Sequence, residues 1–142
     1  MTAQQVQWLA TRELTDKANP QAVLKAQIGA PEGLGDNQWR CALRVEGLDS
    51  SQVHYAHGVD AFQAMMNALE SIARLIRESQ RELTWSGGDP GDSGFRRNVP
   101  THLGPEFAAS IESLIEREVE AKTAQLAIRT QEKLRALGHS AE

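Results

Sequence analysis

Between Trp85 and Gly104 the chain reads WSGGDPGDSGFRRNVPTHLG, and five of its eleven glycines fall in this stretch. Glycines at 87, 88, 91 and 94 allow backbone conformations closed to other residues, and successive exposed amides can cradle an anion. Arg96 and Arg97 offer guanidinium forks to a carboxylate or phosphate, with His102 a few residues on. Asp89 and Asp92 have the chemistry of hard-cation ligands, although two carboxylates are few for calcium. The other reading is a surface loop of the Ω type, whose glycines and Pro90 serve turns while Phe95 and Val99 pin it to the core. A loop of roughly twenty residues in a compact domain is uncommon, and such loops often carry function. The expectation is a recognition loop, with Asp89, Asp92, Arg96, Arg97 and His102 as its binding residues and no catalytic group.

Other reactive side chains give less. The sequence has no phosphate-loop motif, no GxSxG elbow, no HExxH and no CxxC. His54 and His57, three apart, fall on opposite faces of a strand, and His102 and His139 lie on other elements, so no metal site is expected. Cys41 shares an apolar face with Trp39 and Leu43 and reads as a buried small hydrophobe rather than a nucleophile. Glu112, Glu116, Glu118 and Glu120 stand at helical spacing, but Arg117 and Lys122 are interleaved, which suits a solvated charged face. Lys25, Arg40 and Arg44 fall together on the polar side of two strands and form a second candidate surface, with Arg40 and Arg44 as its binding residues.

These side chains need elements to hold them. Residues 39–46, WRCALRVE, alternate with period two, as in a half-buried antiparallel strand, and residues 22–28 put Leu24, Ala26 and Ile28 on one face. Residues 5–14 suggest a first strand with Val6, Trp8 and Ala10 inward, a phase that also turns Arg12 inward. Turns are expected at Ala18-Asn19-Pro20, over Gly29–Asn37 and at Gly47–Ser50, with a short strand at 52–57. The period then changes: Phe62, Met65, Met66, Leu69, Ile72, Ala73 and Ile76 mark one face of a helix over about 60–80, with Asp60 as N-cap and Gln63 at capping-box spacing. Leu69 is expected in the core. A short strand over 83–86 precedes the glycine loop.

A second helix is expected from Pro105 to about Leu137, with Gly138 as its stop. Its 33 residues would reach about 50 Å, longer than a domain of this size. Phe107, Ile111, Leu114 and Ile115 form a core stripe in its first half. Beyond Val119 the apolar residues thin to Leu126, Leu134 and Leu137, so the end either projects, frays or packs on a second subunit, the expected cover being a second copy. The fold class is therefore α+β: a single domain with a four- to five-stranded antiparallel meander, one face covered by a helix, and a long C-terminal helix.

At 142 residues, 40% apolar and 24% charged, the composition is that of an ordinary globular chain, and the net charge of −4 gives no general attraction for nucleic acid. The single cysteine, the absence of a basic, apolar leader and the lack of a 20-residue apolar run point to a soluble cytoplasmic protein without disulfides.

Gly58-Val59-Asp60-Ala61-Phe62-Gln63-Ala64, Leu83-Thr84-Trp85, and the loop ending Gly94-Phe95 resemble a family of small uncharacterised bacterial proteins over roughly residues 39–100. Where members often have proline after the Gly-Phe pair, this chain has Arg96. The resemblance implies a strand meander, helix, short strand and glycine loop, and no catalytic residue. The expectation is a small bacterial protein of unknown function that binds another protein, as toxin-neutralising immunity proteins do, or itself as a homodimer through the C-terminal helix. The alternative is a small-ligand binder or enzyme acting on an anionic substrate through the 87–104 loop. No cofactor, nucleic acid or membrane is expected to take part.

Overall fold

A computed structural model describes residues 5–48 and 52–139, without the side chains of Thr101 and His139. Asp49 and Ser50 of the expected turn lie outside the described residues. The chain divides into two compact units, one ending at Asn98 and the other beginning at Val99.

Among the described residues the first unit holds six strands: β1 (Trp8–Asp16), β2 (Asn19–Gly29), β3 (Glu32–Gly35), β4 (Gln38–Glu46), β5 (His54–Gly58) and β6 (Leu83–Thr84). A helix, α1 (Ala61–Ser79), connects β5 to β6. All the strand pairings are antiparallel. Arg40 pairs with both Glu32 and His57, and Leu43 with both Ile28 and His54. It follows that β2 and β3 succeed one another along one edge of β4, while β5 runs along the other. Outside β2 lies β1, with Leu14 opposite Leu24, and outside that the short β6, with Thr84 opposite Thr15.

Period-two alternation produces the core. Leu14, Leu24, Ala26, Ile28, Cys41, Leu43, Val45 and Ala56 point to one face and are buried in one cluster, with α1 packed on β2, β4 and β5. The inward residues expected on β2 and β4 are those observed, with Trp39 half-buried at the end of its row. The Gly29–Asn37 stretch, expected as turn, contains β3, which closes on β4 through a tight turn with Asp36 and Asn37 at positive φ. A register shift between Trp8 and Ala10 turns Trp8 to the face opposite Arg12, so these two do not share the phase expected of them. Asp60 caps α1 by accepting from Gln63 N at 2.8 Å, and Gln63 Oε1 accepts from Val59 N at 2.7 Å, a reciprocal arrangement like the expected capping box.

The phase of α1 differs from the expectation over its first half, while Ile72, Ala73 and Ile76 are buried as expected. Its buried residues are Ala64, Ala68, Ile72, Ala73 and Ile76, whereas Phe62 is 79% and Leu69 40% exposed. Small residues decide the contact: a Cβ on Gly58 would strike the backbone of Gln63 and Ala64, so β5 and the first turn of α1 lie nearly backbone to backbone. Alanine fits that gap and phenylalanine or leucine does not.

The second unit is a 3-10 turn over Thr101–Leu103 followed by α2 (Pro105–His139), which runs through Gly138 instead of stopping there. No described residue of α2 is buried. Phe107, Leu114 and Ile115, expected as a core stripe, are exposed, and Ile111 is half-buried. Among the described residues no helix is long and apolar enough to cross a membrane.

Candidate functional site

The glycine loop is built around Arg12. That side chain points to the core face of β1, where a charge needs cover, and its guanidinium stacks 4.6 Å from the Trp85 ring centroid and 4.8 Å from that of Phe95. Arg12 Nη1 also donates to the Ser93 carbonyl at 3.4 Å. The glycines make the stack possible. Gly94 has φ +78°, and a Cβ there would collide with Arg12 Nη1, while a Cβ on Gly87 or Gly88 would enter the Trp85 ring. Phe95 packs on the core, as expected of it.

Backbone and side-chain bonds then fix the loop. Trp85 N donates to Asp92 O at 3.0 Å, Asp92 N to Asp89 O at 2.9 Å, and Gly91 N to Thr84 Oγ1 at 2.8 Å. Asp92 is the centre of the polar set: its carboxylate accepts from Gly94 N at 2.8 Å and from both Arg96 Nη1 and Nη2, at 2.9 and 3.2 Å. The Arg96 bond, then the Gly94 amide, hold the Asp92 carboxyl at about 2. Trp85 Nε1 is buried without a hydrogen bond of good geometry, and its proximity gives the smallest part of that lowering.

Between this loop and the C-terminal turns of α1 lies an open groove of about 690 Å³. Ala73, Ile76, Pro90 and Phe95 supply apolar wall, and Arg77, Arg81, Arg96 and Arg97 supply charge. Asp92 is the one acid among its eleven lining residues. Arg77 Nη2 lies 3.9 Å from Glu70 Oε1 and Arg81 Nη1 lies 3.8 Å from Asp16 Oδ2, and both arginine side chains are partly exposed. Arg97 is exposed and, among the described residues, has no ion-pair partner. Four forks around a hollow with apolar walls can hold a carboxylate or phosphate and the carbon that carries it.

Of the residues expected to bind, Asp92, Arg96 and Arg97 come together here. Asp89 is exposed and does not line the groove, and His102 is exposed in the second unit. Arg40 and Arg44 occupy the open sheet face, as expected, but each is engaged within the fold. Arg40 Nε donates to Glu32 Oε2 at 2.8 Å and stacks 4.4 Å from the Tyr55 ring, and the Glu32 bond raises its pKa further. Arg44 Nε donates to Gln27 Oε1 at 2.7 Å and stacks 4.6 Å from Trp8. Arg77 and Arg81 were not visible as site residues, because only the fold brings the end of α1 and the residues just after it against Arg96 and Arg97 of the loop. Arg12 had left a signal, an arginine in an inward phase. Cys41 is fully buried, with Sγ 3.3 Å from the Gly29 carbonyl, and burial raises its pKa. The described residues hold no cluster of three or more metal-ligating side chains.

An antiparallel sheet under one helix, clasped by a glycine loop that presents arginines, defines an α+β protein with a cationic groove. Residues 10–97 match a family described as a domain of unknown function, DUF6968, and the chain belongs to that family. No curated protein and no solved structure matches the chain. All four groove arginines lie within the matched residues.

Proposed function

We propose that the chain is a binding protein that grips an anionic group in the arginine groove, and that this group belongs to an acidic segment of another protein. The observation that carries the proposal is the convergence of four arginines, from α1, the segment just after it and the glycine loop, on one hollow whose single acid is already engaged by Arg96. Asp92 takes two of the five N–H donors of Arg96 and leaves the others for a ligand. The openness of the groove favours a large partner, since a site for a small metabolite usually buries most of its ligand. Ser93, the one hydroxyl in the lining, is tied into a local turn by accepting from Phe95 N, which favours binding over catalysis. A toxin-neutralising immunity protein, working in the cytoplasm on an acidic surface of its target, is one form this function takes. The free-anion alternative, a small-ligand binder or enzyme, uses the same arginines.

Fluorescence anisotropy of a labelled glutamate-rich peptide, alongside calorimetry with inorganic phosphate, separates these readings. The peptide is expected to bind at low salt, to be released at high salt, and to lose about tenfold or more in affinity when Arg96 and Arg97 are both replaced by Ala. Binding of phosphate with a silent peptide would favour the free-anion reading. If neither binds, the groove is not a recognition site.

A further inference from the structure

We propose that α2 pairs antiparallel with α2 of a second copy of this chain, about a centre between Lys122 and Thr123. The first support is the distribution of charge. From 105 to 121 the helix carries Glu106, Glu112, Glu116, Glu118 and Glu120 against Arg117 alone, and from 122 to 139 it carries Lys122, Arg129, Lys133 and Arg135 against Glu132 alone. Acid at the start and base at the end also suit the helix dipole, but that effect is confined to the first and last turns. Most of these charges lie in the interior of the helix, where the dipole gives no reason for the segregation. An antiparallel partner does, since it sets the acidic half of one copy against the basic half of the other. A parallel partner would set like against like.

The second support is an apolar seam in the same register. At 100° per residue Ala108, Ile115, Val119, Leu126 and Leu137 fall within about 40° of one another on the helix wheel. All but Ala108, which is half-buried, are exposed in the single chain. Antiparallel pairing about 122/123 puts Val119 level with Leu126 of the second copy and Ala108 level with its Leu137. The same register sets Glu112 level with Lys133 and Glu116 level with Arg129. Apolar and charged residues are thus both matched about this centre, and a two-fold axis there makes the interface self-complementary. A long helix standing by itself is marginal in water, and a partner on this seam gives it cover.

Sedimentation of the full-length chain and a spin-label distance test the proposal. The wild type is expected to be a dimer at micromolar concentration. Glu112→Lys with Glu116→Lys, and separately Arg129→Glu with Lys133→Glu, are each expected to give monomers, and their mixture to restore a dimer. A nitroxide on Glu106→Cys, off the seam and with the native Cys41 buried, should report a separation of about 50 Å, the span from 106 to the level of 139. A separation below about 30 Å would mean a parallel pair, given an interaxial distance of 8–10 Å. That result, or a wild-type monomer at high micromolar concentration, overturns the proposal.

Discussion

An arginine on the inward face of a strand must find cover for its charge, and Arg12 finds it between two aromatic rings supplied by the glycine loop. The loop's composition follows from this: its glycines leave room for Trp85 and for the guanidinium. Gly94→Ala imposes an unfavourable φ and a collision with Arg12, so it should destabilise the fold by about 1–3 kcal/mol in chemical denaturation. Asp92 gives a second residue-scale test. Its carboxyl sits at about 2, below the ordinary 3.8, chiefly through Arg96. Because folding depresses this pKa, the contact contributes stability above the unfolded value and loses it as pH falls from about 4 towards about 2. In Arg96→Ala the Asp92 midpoint, followed by carboxyl carbon NMR, should move up towards the ordinary value. An unchanged midpoint would mean that Arg96 does not hold the carboxylate. The carboxylate and both loop arginines were legible as polar residues crowded into one stretch. Their orientation depended on Arg12, whose inward phase pointed to a problem without showing its solution.

At the scale of elements, legibility depended on which residues make the contacts. The alternation in β4 and β2 could be read directly, because buried and exposed side chains there differ sharply in polarity, and the caps of α1 were equally plain. Its phase was not, since hydrophobicity ranks Phe62, Met66 and Leu69 above Ala64 and Ala68 although the alanines touch the sheet. Denaturation can check this inversion. Ala68→Leu should overpack the contact and cost about 1–3 kcal/mol. Ile72→Ala should cost about 2–5 kcal/mol, and Leu69→Ala clearly less than Ile72→Ala. Equal losses at 69 and 72 would restore the phase that the apolar periodicity suggested. The strand β3 escaped notice because its glycines, with Pro31 just before it, carry turn chemistry, while the ladder to β4 is made by backbone.

For the whole molecule, the family match over residues 10–97 nearly coincides with the first compact unit, and every member of the core cluster lies within it. A chain ending at Asn98 should therefore keep its sheet signal in circular dichroism and unfold in one cooperative transition. A noncooperative melt would mean that the unit depends on residues beyond it. The groove arginines belong to this unit, so the truncated chain should also retain binding. Recognition of an acidic partner by the arginine groove is tested by amide NMR of the full-length protein titrated with an acidic peptide. Binding in the groove should give shifts concentrated at residues 76–81 and 90–97, lost in Arg96→Ala with Arg97→Ala. Shifts centred instead on Arg40 and Arg44 of the open sheet face, or confined to α2, would contradict it.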